Sequence, residues 1–141
     1  MKPLNTSNHP TPAVMVLGRL MIATLFLVSA AAKVMAPGAT IEFIASTGLP
    51  FAILGFLIAV AVEVGGGLLL ACGIQTRSVA IALAVFSVAT GLVFHHDLEN
   101  QMQLMELLKN IAIAGGLLHI AAIEEPAGGI QRATHGKRWK L

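Results

Sequence analysis

Residues 18–33, GRLMIATLFLVSAAAK, admit two incompatible readings. A cation at Arg19, an apolar run from Leu20 to Val28 and the small residues Ser29-Ala30-Ala31-Ala32 together imitate a secretory signal peptide that would be cut after Ala32. The same residues also read as the core of a retained membrane-spanning helix with one cation near each end. In that case Arg19 and Lys33 both need a physical explanation, because charge inside a bilayer is costly. The first reading removes a helix and the second gives the chain its architecture.

Composition points to the membrane. Of 141 residues, 56% are hydrophobic and 11% charged, against about 25% charged in soluble domains. A soluble chain this short would need polar residues to cover its surface, whereas here they gather at a few punctuation points. The single cysteine, Cys72, excludes an internal disulfide and a Cys-x-x-Cys redox couple. The cations of the C-terminal tail, Arg132 to Lys140, suit a membrane surface, and no nucleic-acid motif accompanies them.

Outward from the quoted stretch, four apolar segments alternate with short turns. Residues 1–12 hold three prolines and no apolar period, which predicts a disordered tail. The first span covers about 13–34 and ends at Met35-Ala36-Pro37-Gly38. ATIEFIASTGLP, residues 39–50, then sets Ile41, Ile44, Ala45 and Gly48 at helical spacing, as in a short helix lying in the interface. Further spans are predicted over about 51–72, 78–94 and 104–123, followed by a basic tail, 124–141. The expected fold is an all-α integral membrane four-helix bundle with a short interfacial helix between spans one and two.

The Lys/Arg distribution orients it. Lys2, Arg77 and the tail cations fall on one side of four spans, while Glu42, Asp97 and Glu99 fall on the other, so both termini are expected in the cytoplasm. Cleavage after Ala32 would break that agreement, which favours the retained helix. The sequon Asn5-Thr6-Ser7 then lies inside and carries no meaning.

The two cations can now be placed. Arg19 and Lys33 differ by about 40° around the helix and about 21 Å along it. Their shared face, with Ile22, Phe26 and Ser29, should look into the bundle. Counting helix rise from the cytoplasmic side puts Arg19 about 9 Å deep and Glu63 about 13 Å deep, which opens an ion pair between them. His119 is expected to join this inner cluster. Lys33, His95, Glu106, Lys109 and Asn110 form a second, outer cluster, where Lys33 and Lys109 either line a pocket or snorkel to the interface. A quinone head group or a small oxyanion suits those donors, although no motif supports a quinone.

Plainer readings stand beside these. Arg19 and Glu63 read first as a structural pair fixing helix register rather than a proton or anion site. His95-His96-Asp97-x-Glu99 supplies no clear third metal ligand, since adjacent histidines point apart. Gly65-Gly66-Gly67 and Gly115-Gly116 sit inside apolar spans, where small residues serve close packing rather than nucleotide binding. Cys72, at a helix end, reads as a small apolar filler.

Gly18-Arg19, Phe26-x-x-Ser29 with Lys33, Gly48-Leu49-Pro50, Glu63 before Gly66-Gly67, Gly73 with Thr76-Arg77, His95, and Lys109-Asn110 with Gly115-Gly116-Leu117-Leu118 resemble the DoxX family. The resemblance covers the whole membrane region. One departure is Ser29-Ala30, where the family often has Ser-Gly. The resemblance implies a bacterial-type inner-membrane protein that acts as a non-catalytic accessory subunit of a redox or quinone-linked membrane assembly. Its expected partners are lipid and a membrane or soluble redox protein, and the chain itself supplies no intrinsic cofactor site. Two alternatives stay open, a small-molecule or proton transporter and a membrane assembly protein without a ligand site, and association into an oligomer stays open beside them. No nucleophile with its base, flavin site or haem site is evident, so catalysis by this chain alone is not expected.

Overall fold

A backbone crossing lipid must satisfy its own hydrogen bonds, and a chain with one apolar run after another does so by forming helices. A computed structural model describes residues 12–124. These residues form α1 (Pro12–Met35), α2 (Pro37–Ser46), α3 (Ala52–Cys72), α4 (Thr76–Phe94) and α5 (Gln101–Ile123). Apart from α2, all are long and apolar enough to span a membrane. The chain is therefore an all-α membrane bundle of four spans, with α2 as the short helix between the first two. The two predicted tails, including the sequon and the basic C-terminal cluster, lie outside the described residues apart from their inner ends.

Local chemistry sets the boundaries. Pro37 opens α2 at a position where its missing N–H costs nothing. After Cys72 the chain turns in a Schellman motif: Ile74 N–H donates to Leu69 O (2.9 Å) and Gly73 N–H to Leu70 O (3.2 Å). That motif needs a left-handed residue, which Gly73 supplies at φ +72°. The third span begins at Thr76, two residues before its expected start, because Val79 N–H already closes the first turn on Gln75 O. The fourth begins at Gln101, not near 104, because the Asn100 side chain accepts from the N–H groups of Met102 and Gln103.

The helices run antiparallel in succession, so Met35, α2 and the start of α3 share one side of the bundle (the α2 side) and the described ends of the chain share the other. Packing is most extensive between α4 and α5 and between α1 and α3. Small residues permit it: a Cβ on Gly66 would come within 2.6 Å of Leu83, one on Gly67 within 2.9 Å of Leu27, and one on Gly91 within 2.9 Å of Asn110. The core cluster draws on Ala23 and Phe26 of α1, Leu70 of α3, Val79 to Ala84 of α4, and Ala114 to Ala121 of α5. Those of α3, α4 and α5 lie in the half of the bundle away from α2, and Ala23 and Phe26 sit near mid-depth on α1. The first helix is part of that core, with Ala23, Phe26 and Ala30 buried.

Candidate functional site

The half of the bundle next to α2 encloses a cavity of about 420 Å³. Ser29 and Lys33 of α1, Glu63 of α3 and Thr90 of α4 line it, with Asn110 of α5 and His95 just past the end of α4. Its frame is apolar and aromatic: Ile58, Phe86, Phe94 and, from α2, Phe43 and Ile44. Phe43 stacks on Phe94 with ring centroids 5.5 Å apart and planes at 25°, tying α2 to the end of α4. Gly55 lets α2 settle on α3, since a Cβ there would already touch Ile44 at 3.4 Å.

An ion pair forms the cavity's charged wall. Lys33 Nζ donates to Glu63 Oε1 (2.8 Å), Glu63 Oε2 (3.1 Å) and Ser29 Oγ (2.7 Å), while Ser29 Oγ donates to Glu63 Oε1 (3.2 Å). The Glu63 side chain is 7% exposed and that of Lys33 26%. The ammonium thus has three acceptors within the wall, two of them on the one carboxylate. The wall therefore holds both charges of a neutral pair, and an anion would have to compete with Glu63 for Lys33.

This pairing replaces the expected Arg19–Glu63 pair. Counting Cα depth had placed Glu63 nearer Arg19, but side chains lean toward the N-terminus of their own helix. Because α1 and α3 run in opposite directions, Lys33 leans into the bundle and Glu63 leans toward α2, so the two close the gap between their Cα atoms. Arg19, also on α1, leans toward the termini side and so away from Glu63. Its guanidinium lies 3.6 Å from Glu124 and packs over Gly73, at the C-terminal end of α3, where a cation meets the negative end of the helix dipole. Arg19 Nε is buried without a partner among the described residues.

The other predicted site residues divide. His119 is exposed on α5 and does not join an inner cluster; two residues from buried Leu117, it falls on the opposite, outward face. Lys109 and Glu106 pair with each other on the outside of α5 and do not line the cavity. They are one helical turn apart, so each satisfies the other without the bundle. Lys33, His95 and Asn110 do come together at the cavity. His95 Nδ1 lies 3.0 Å from Gln103 Oε1; with that amide oxygen as acceptor, Nδ1 donates and Nε2 remains open. Asn110 Nδ2 donates to Glu106 O at 3.1 Å, which leaves its second amide proton free. Sequence reasoning left Ser29 out of the candidate set, although it stands one turn before Lys33, and it missed Thr90, whose hydroxyl is turned back onto Phe86 O (2.9 Å) and Ser87 O (3.1 Å). Among the described residues no three His, Cys, Asp or Glu side chains gather as a metal site. Cys72 is exposed at the far end of α3.

A four-span helical bundle with a half-depth cavity, roofed by a short helix and walled by a neutral ion pair, defines a multi-pass membrane protein with a pocket built between its spans. The chain belongs to the DoxX family, whose model matches residues 14–96. It is similar to two Escherichia coli (strain K12) proteins, inner membrane protein YphA, 28% identical over 115 residues (78% of this chain and 82% of that one), and inner membrane protein YqjF, 28% identical over 123 residues (86% and 91%). No solved structure matches the chain.

Proposed function

We propose that this protein is a non-catalytic accessory subunit of a quinone-linked membrane assembly, and that its cavity holds the uncharged head group of a quinone. The observation that carries the reading is the cavity itself. Its volume of about 420 Å³ falls within the usual range for small-molecule sites, and it has their character, a mostly apolar lining with a few convergent polar groups. The wall formed by Lys33, Glu63 and Ser29 is neutral as a unit, with the ammonium paired to the carboxylate. That favours an uncharged ligand over the small oxyanion that the sequence left open, because an anion would have to pull Lys33 away from Glu63. A quinone carbonyl would instead use the free Asn110 amide proton, and a hydroquinone hydroxyl would donate to His95 Nε2. The redox link rests on the DoxX family's associations, and the inner-membrane setting on the names of the two relatives.

The excess of cations on the termini side supports an orientation with both termini in the cytoplasm and the cavity in the outer leaflet. A continuous transport path is disfavoured by the core beneath the cavity, where Leu70, Leu83 and Leu117 are fully buried. Purification of the tagged protein in mild detergent, with organic extraction and mass analysis, tests the proposal. Quinone and a quinone-reactive oxidoreductase should be recovered together, and deletion should slow quinone-dependent oxidation in membranes. Recovery of neither, with oxidation unchanged on deletion, would refute it.

A further inference from the structure

The residues lining the cavity split by exposure in a way that locates its mouth. Those that are also exposed on the protein surface are Phe43, Leu49, Ile58, Ala89 and Val93. Every one is apolar. The polar lining residues, by contrast, are half-buried or buried, and the charged carboxylate is the most deeply buried of them. A mouth opening to water would show the opposite order, with the polar groups at the rim. Three of the rim residues belong to two spans that pack on each other: Ile58 of α3, and Ala89 and Val93 of α4. Helices α3 and α4 are in close contact farther down, where Gly66 meets Leu83, and on the α2 side both of them line the cavity. From the helix rise, Ile58 sits about 9 Å from the start of α3 and Ala89 about 7 Å from the end of α4, within the hydrocarbon layer rather than above it. Overhead, the Phe43–Phe94 stack and α2 close the pocket toward the interface.

We infer that the cavity is loaded sideways from the bilayer through the cleft between α3 and α4, and that its ligand is an uncharged head carrying an apolar tail that stays in this cleft. The inference rests on the quinone reading of the same cavity and adds the route and the tail. The bound head meets the polar groups inside, while the tail passes Ile58, Ala89 and Val93 and rejoins the acyl chains, so no polar group has to be stripped of water at the mouth. The tail need not match a fixed shape, since beyond the rim it lies in lipid.

The test compares a decyl-substituted benzoquinone with the same quinone lacking its tail, in nanodiscs, using wild type and Ala89→Trp. Ala89 is exposed, so the indole can lie across the cleft without entering the core. The tailed quinone, expressed as its mole fraction in the membrane, should bind the variant at least about tenfold more weakly, a loss of one badly placed contact, while the tailless quinone, which meets Ala89 only at the rim, loses far less. Retained tailless binding also shows that the variant is folded. In Ile58→Trp, where the ring also narrows the cavity that Ile58 lines, both quinones should weaken, the tailed one by at least about tenfold more. Equal binding of the tailed quinone to wild type and both variants would overturn the cleft and leave the cavity reading standing. Equal loss of both quinones would also overturn it, because the effect would not depend on the tail. Failure of either quinone to bind wild type would overturn the cavity reading and this inference together.

Discussion

Removing either member of the Lys33–Glu63 pair should destabilise the protein, but not equally. Lys33→Ala leaves a carboxylate that is 7% exposed with a single remaining hydrogen bond, from Ser29 at 3.2 Å. Stranding one charge of a buried pair costs about 3–5 kcal/mol. Glu63→Ala strands an ammonium that is already 26% exposed, two residues from the end of α1, and that keeps Ser29 as an acceptor at 2.7 Å. Its four-carbon stem can carry the charge to the interface, so the cost falls to about 1–3 kcal/mol. The double variant should lose less than the sum of the single losses, by about 1–3 kcal/mol, the coupling expected of residues in direct contact. Equilibrium unfolding in mixed detergent micelles, followed by helix content, measures all four proteins. The reasoning is refuted if Glu63→Ala proves the costlier change, or if the two losses simply add.

Gly66→Ala should cost about 1–3 kcal/mol, since its Cβ would press on Leu83, whereas Gly65→Ala, which meets nothing within 4 Å, should be neutral or slightly stabilising in the same unfolding measurement. Gly73→Ala should cost about 1–2 kcal/mol through its left-handed backbone, with additional crowding of the Arg19 guanidinium. Asn100→Ala removes the cap that accepts from Met102 and Gln103 and should cost about 1 kcal/mol; amide hydrogen exchange should show the loosening confined to the first turn of α5.

The spans were legible because Gly, Pro and polar residues interrupt the apolar runs at each turn, as at Pro37, Gly73 and Asn100. The inward face of each span was not. In water a polar face marks what is exposed, but lipid-facing residues such as Leu57, Val85 and Leu118 are as apolar as the buried Leu70, Leu83 and Leu117. Hydrophobic periodicity therefore did not separate Asn110, which lines the cavity, from its neighbour Lys109, which does not. The Lys33–Glu63 pairing was hidden for a different reason: helix rise fixes where a Cα lies, while the direction of Cα–Cβ decides where a long side chain ends. Residues at different depths on antiparallel neighbours can meet for that reason, and Arg19 and Glu63, closer by count, lean apart. Thr90 and the Phe43–Phe94 stack carried no local signal, because each depends on how α2 and α4 come together.

Isothermal titration of the nanodisc-embedded protein with decyl-substituted benzoquinone, beside an Ala59→Phe variant, measures the central claim directly. Ala59 lines the cavity and is half-buried, and a phenyl ring there fills the space a head group would take. Saturable binding to wild type with one site per chain, lost in Ala59→Phe while the variant keeps its helix content, is the predicted result. Binding that does not saturate, or that survives in Ala59→Phe unchanged, would contradict the claim that this cavity is a ligand site.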